Sequence, residues 1–173
     1  MEYWDIYLAD GSKTEKKVLR GNKMNEGEFH LVVHIAIYDQ NGNLLIQKRT
    51  LNKESFPGYW DFGVGGSAVC GENSQQAAQR ELLEEVGILY DFSNQIPLFR
   101  SYGIHSFVDF YAIEYDGNIC DLVLQTDEVE KIKWASQEEI YEMIENDEFI
   151  PYHKSIFGLI KEMSHNRGLH RKR

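Results

Sequence analysis

Four carboxylates, Glu72, Glu81, Glu84 and Glu85, fall in one stretch from Gly66 to Ile88, GSAVCGENSQQAAQRELLEEVGI, with three of them crowded between positions 81 and 85. The spacing predicts a helix over 74–86. Asn73 or Ser74 can supply a capping oxygen, no proline interrupts the run, and Gly87 stands where a left-handed terminating residue belongs. At about 100° per residue, Ala78, Leu82, Leu83 and Val86 are expected on one side and Glu81, Glu84 and Glu85 on the other. Arg80 can pair with Glu84 one turn on, worth roughly 0.2–0.5 kcal/mol, but Glu81 and Glu85 are like charges at the same spacing and cost a similar amount. Most charged helix faces are simply solvated. Carboxylates this crowded are relieved by a cation between them, and hard divalent ions such as Mg²⁺ take oxygen ligands while keeping water and phosphate oxygens. The chemistry open to this face is that of such an ion and what it carries.

Positioning those groups falls to the rest of the chain. Tyr3 to Leu8 reads as a short strand, Asp10-Gly11 as a turn, and Lys16 to Arg20 as a returning strand, giving an N-terminal hairpin over residues 1–28. His30 to Tyr38, HLVVHIAIY, is β-branched and apolar, and Asn41-Gly42 predicts a tight hairpin with Leu44 to Arg49 pairing back. Trp60 to Gly66 reads as extended, with glycines that allow close backbone approach. Strands are expected over Leu98 to Tyr102, Phe107 to Tyr115 and Val129 to Trp134. A helix capped by Ser136 follows. A last helix, from about Tyr152 to Met163, presents Ile156, Leu159, Ile160 and Met163. The pattern is α/β: one domain over 1–173, with a mixed sheet between helices.

Length and composition agree. A chain of 173 residues, 42% hydrophobic and 27% charged, can bury one sizeable core. No apolar run is long enough for a membrane span, and MEYWDIYLADG lacks the basic-then-apolar order of a signal peptide. Cys70 and Cys120 give no disulfide framework, which suits a reducing cytoplasm. A net charge of −10 argues against a nucleic-acid polymer as partner, while leaving room for a small anionic substrate bridged by a cation. The basic tail from Arg167 to Arg173 reads as a solvated end. The hairpin could also pair between subunits, so a homodimer stays open.

Gly66, Glu72, Arg80-Glu81-Leu82, Glu84-Glu85 and Gly87-Ile88 together resemble the Nudix box at every specified position. The resemblance implies a Nudix-type α/β/α sandwich and a hydrolase that uses Mg²⁺ or Mn²⁺ to direct water at a diphosphate linkage. It assigns Glu81, Glu84 and Glu85 as metal ligands or base, adds the backbone carbonyl of Gly65 as a ligand, and gives Arg80 the task of holding a glutamate. Glu72 is expected behind the ligands. Family members often recruit another acid from beyond the box. Asp127, Glu128, Glu130 and Glu114 are candidates here, and Glu128 is the choice for general base.

His30 to Arg49 and FPGYWDFGVGG also resemble a subgroup, isopentenyl diphosphate isomerase and its hydrolase-like relatives. By that resemblance Arg49 and Lys53 contact the diphosphate, in keeping with a bidentate guanidinium and a mobile ammonium. The isomerase, however, needs a cysteine and histidines. Its cysteine position is Gly65 here, the neighbouring histidine is Ser67, and of two earlier histidines one matches His30 and the other falls on Lys23. Hydrolysis is therefore expected over isomerisation. A non-catalytic nucleotide-binding module would be expected to lack box carboxylates, and none is missing. Phe56, Tyr59 and Trp60 are candidates to stack on a nucleobase.

Overall fold

The computed structural model describes residues 1–166, so the basic tail from Arg167 lies outside the described residues. Tyr3–Tyr7 (β1) and Lys13–Leu19 (β2) form the expected antiparallel hairpin, with β2 starting earlier than the sequence pattern indicates. The main sheet is built from His30–Tyr38 (β3), Leu44–Arg49 (β4), Trp60–Phe62 (β5), Val64–Ser67 (β6), Phe99–Tyr102 (β7), Ser106–Glu114 (β8) and Val129–Ala135 (β9). Three helices complete it: Ser74–Val86 (α1), Gln137–Glu145 (α2) and Ser155–His165 (α3).

β3 is the hub. It runs parallel to β8 along its whole length and antiparallel to β6 from Val32 to Ile35. Its predicted partner β4 meets it at a single pair, Tyr38 with Leu44, and otherwise pairs with β5 and β9. The turn itself forms as expected. The Asp39 carboxylate accepts from the Asn41 and Asn43 amides, and Gly42 sits at φ 77°. The strands then part because long-range partners claim both edges of β3.

Trp60 to Ser67 is not one extended run. Gly63 turns it at φ 60°, in a spot where a Cβ would lie 1.9 Å from the Ile35 carbonyl oxygen. The turn moves the chain from β4 to β3 and brings Gly65 and Gly66 under α1. One core packs α1 on the sheet through Leu31, Val33, Ile35, Ala78, Leu82 and Val86. A second lies around Ile46, Phe62, Ile140, Phe149, Phe157 and Ile160, beneath α2 and α3. In α3 the buried residues are Phe157 and Ile160, whereas Leu159, expected on that face, is 47% exposed. No helix among the described residues is long and apolar enough to cross a membrane.

Candidate active site

α1 has the predicted bounds. Asn73 caps it by accepting from the Gln76 amide at 2.9 Å, Gln76 reaches back to the Asn73 amide at 3.0 Å, and Gly87 closes it at φ 73°. Its docked side is Ala77, Ala78, Leu82, Val86 and Glu85. Two expectations are thus corrected. Leu83 is 48% exposed, and Glu85, expected among the outward carboxylates, is 2% exposed. The cause is helical spacing: 85 lies seven after Ala78 and three after Leu82, on the stripe that faces the sheet.

Arg80 organises the remaining acids. Its Nε and Nη2 donate to Glu72, Nη1 donates to Glu81 at 2.8 Å and to Glu84 at 3.0 Å, and Nη2 also donates to the Ser67 carbonyl at 3.0 Å. Glu72 in turn accepts from the Val69 amide, which ties the loop before α1 to the same guanidinium. These contacts hold the Arg80 proton more firmly than in water. Glu81 and Glu84 face a cavity of about 550 Å³ whose floor is Gly65, Gly66 and Ser67. Gly66 admits no side chain, because a Cβ there would lie 2.2 Å from the Glu81 carboxyl carbon.

Behind the cavity, the Glu85 carboxylate accepts from Gln47 Nε2 at 2.9 Å. Burial pushes its pKa up to about 8; the neighbouring charges of Glu81 and Glu128 add to the rise, while Gln47 and Lys53 oppose it. Burial likewise raises Glu81, against the pull of Arg80. Gln47 Oε1 is buried with no hydrogen-bond partner among the described residues.

Across the cavity stand Arg49, Lys53 and Glu128. Arg49 donates to the Ser55 carbonyl at 3.0 and 3.1 Å and lies 3.6 Å from Asp61, and Lys53 is paired with Glu128. Of the other acids considered, Glu130 pairs with Lys48 at 3.6 Å, Glu114 lines a different cavity, and Asp127 accepts from Thr50 through its backbone carbonyl. The two strand histidines pack: His30 stacks on Trp4 at 4.0 Å, and His34 stacks on Phe62 at 4.0 Å with Nε2 2.6 Å from the Phe62 carbonyl. Phe56, Tyr59 and Trp60 do not line the cavity.

Sequence reasoning missed Gln47, Asp61, Glu2 and Arg20. Gln47 was legible, since it shares the Arg49 face of β4 at a spacing of two. Glu2 and Arg20 reach the cavity from the hairpin, and no local pattern announces them.

The family model described as NUDIX domain matches residues 28–154. An uncharacterized Nudix hydrolase of Listeria innocua is 43% identical over 152 residues, covering 88% of this chain and 90% of that protein. The chain belongs to the Nudix hydrolase family. An isopentenyl-diphosphate Delta-isomerase of Dictyostelium discoideum is 26% identical over 168 residues, covering 83% of this chain and 69% of that protein. The Nudix fold is shared with a crystal structure of the Deinococcus radiodurans protein DR0079, at TM-score 0.74 and 20% identity, covering 94% and 99% of the two chains. Nudix hydrolases act on small molecules, generally cleaving nucleoside diphosphate-linked substrates with a divalent metal such as Mg²⁺ or Mn²⁺.

The donor set fits such an ion in kind, being hard carboxylate oxygens gathered beside a side-chain-free floor at Gly66. Among the described residues the acids are not already disposed as a ligand cluster. Arg80 lies between Glu81 and Glu84, and Glu85 turns to Gln47.

Proposed function

We propose that this Nudix hydrolase, one domain with an N-terminal hairpin extension, cleaves a diphosphate linkage in a nucleoside diphosphate derivative or a related small diphosphate, with water as nucleophile. The observation that carries this reading is the single cavity in which Glu81, Glu84 and the glycine floor face Arg49, Lys53 and Glu128. Glu81, Glu84 and Glu85, with the Gly65 carbonyl, would hold Mg²⁺ or Mn²⁺. Such an ion supplies Lewis acidity toward phosphate oxygens and lowers the pKa of water.

The chain's own groups do the rest. Arg49 and Lys53 grip the diphosphate, the guanidinium in a fixed fork and the ammonium as a point charge. When a phosphate oxygen takes Lys53, Glu128 loses its partner and is released to accept the proton of the attacking water. Arg80 keeps Glu81 and Glu84 oriented throughout. By the resemblance to the isomerase, Gly65 and Ser67 fall at its cysteine and histidine positions, and carbon acid–base chemistry would have no thiol there.

The test is phosphate release across a panel of diphosphates with Mg²⁺ and with Mn²⁺, run beside Glu84→Gln. Turnover by the native chain and its loss in the variant are expected. Nucleotide binding without turnover would favour a binding module, and conversion of isopentenyl diphosphate without phosphate release would favour the isomerase.

A further inference from the structure

The cavity's outer wall is not part of the segment that matches the family. Glu2 and Arg20 line it from the hairpin, ahead of residue 28. The hairpin is fixed in place. The Asp5 carboxylate accepts from the Gly71 amide at 2.6 Å, the Tyr3 carbonyl accepts from Cys70 at 2.7 Å, and Tyr7 and Phe29 exchange backbone hydrogen bonds at 2.8 and 2.9 Å. Cys70 and Gly71 belong to the loop that enters α1, so the wall is anchored to the element bearing the carboxylates.

The cavity's cations differ in how they are held. Arg80 is bound by three carboxylates and a carbonyl, Lys53 by Glu128, and Arg49 by Ser55 and Asp61. Among the described residues Arg20 has one side-chain partner, Glu2 at 2.9 Å, and the pair is 53% and 31% exposed. An exposed ion pair of this kind contributes little and gives way readily to a competing oxyanion.

Among the described residues the cavity also offers no free ring face for a flat group. The rings lining it are His34, 8% exposed and stacked on Phe62 and Phe110, and Tyr152, whose hydroxyl donates to Asp61 at 2.9 Å. Both are committed to the interior. What remains to receive a substrate is mostly charge and hydrogen-bonding capacity, with only the small side chains of Val32 and Val69 as apolar surface.

We propose that Arg20 is a specificity-determining residue, and that the preferred substrate is a diphosphate on a polar carrier bearing a second phosphate, which Arg20 takes in exchange for Glu2. This rests on the hydrolase reading above. The carrier is then a hydroxylated skeleton of the sugar-phosphate kind, rather than a nucleobase or a prenyl chain. A guanidinium fork suits the terminal phosphate, whereas a lysine at the same place would give only a point charge.

The test uses the full chain with Mg²⁺ or Mn²⁺ on matched probes. These are 5-phosphoribosyl 1-diphosphate and its 5-dephospho analogue, with ADP-ribose and isopentenyl diphosphate as aromatic and apolar comparisons. The native chain is expected to favour the doubly phosphorylated probe at least about tenfold in kcat/KM. Arg20→Ala should raise KM for that probe about tenfold with kcat nearly unchanged, and leave KM for the dephospho analogue where it was. Arg20→Lys should recover part of the loss, and Glu2→Gln should lower KM for the doubly phosphorylated probe. Equal effects of Arg20→Ala on both members of the pair, or a native preference for either comparison substrate, would overturn the inference while leaving the hydrolase reading intact. Absence of turnover on every diphosphate would overturn both.

Discussion

Replacing Gly66 by alanine tests whether Glu81 stands where the chemistry needs it. The new methyl would lie 2.2 Å from the Glu81 carboxyl carbon and 2.2 and 2.4 Å from its oxygens, and ordinary contact begins near 3.4 Å. The carboxylate must therefore retreat by about 1 Å. Gly66 is not among the residues with left-handed backbone, so steric displacement rather than backbone strain is the cause. The displaced atoms are the far end of a flexible side chain, which lets the fold adjust at a cost of about 1–2 kcal/mol. Misplacing a reacting group by about 1 Å costs on the order of 10²-fold in rate. Gly66→Ala should thus melt within several degrees of the native chain but lose about a hundredfold in kcat/KM for phosphate release. Gly63→Ala is the contrast. Its methyl would meet the Ile35 backbone at 1.9 Å from a residue at φ 60°, and the expected result is loss of folded protein. Gly66→Ala activity within about threefold of native would refute the placement of Glu81 at the reacting centre.

Three further outcomes are expected. Arg80→Ala leaves Glu81, 12% exposed, without its cation and should cost about 2–3 kcal/mol in urea denaturation, with Arg80→Lys recovering part; an unchanged midpoint would refute the network's role. Mn²⁺ or Mg²⁺ at about one hundred times its Kd should stabilise the chain by about 2.7 kcal/mol, and Glu84→Gln should diminish that gain; no shift in Tm would count against a metal at this site. His30 has its pKa lowered to about 4 by burial, with the charges of Arg20 and His105 adding to it and the Leu31 backbone opposing it. The unfolded chain takes up this proton near pH 6.5 and the folded chain does not, so stability is lost as pH falls from about 6.5 toward 4, by about 2 kcal/mol after allowing for partial exposure. His30→Phe keeps a ring against Trp4 and should flatten that part of the pH dependence relative to the native chain; identical pH profiles of the two would refute it.

Local signals made much of this fold legible. β3 and α1 have the limits that β-branched residues and the Asn73 and Gly87 caps indicate. The partner of β3 was not legible, because an Asn-Gly turn fixes only a reversal of direction. What lies beside β3 is decided by β8 and β6, more distant in sequence. The position of Glu85 was in the sequence but hidden by its type. Spacing alone puts it with Ala78 and Leu82, while grouping by charge puts it with Glu81 and Glu84. Arg20 could not have been found at all, since its role depends on where a separate two-stranded sheet docks.

The placement of Glu85 bears on what α1 is for. A helix docking for stability alone would carry an apolar residue at that position, because a buried carboxylate without a cation costs several kcal/mol unless it takes up a proton. Among the described residues its one side-chain hydrogen-bond donor is Gln47, whose own Oε1 has no partner there. Burial raises the pKa of Glu85 and Glu81 alike, so each is held in a state that a nearby divalent ion would relieve. Arg80 answers part of that demand through Glu72, Glu81 and Glu84 but makes no contact with Glu85. The unmet part lies at Glu85, buried in the last turn of α1, and that is where a divalent ion would have the most electrostatic stabilisation to add.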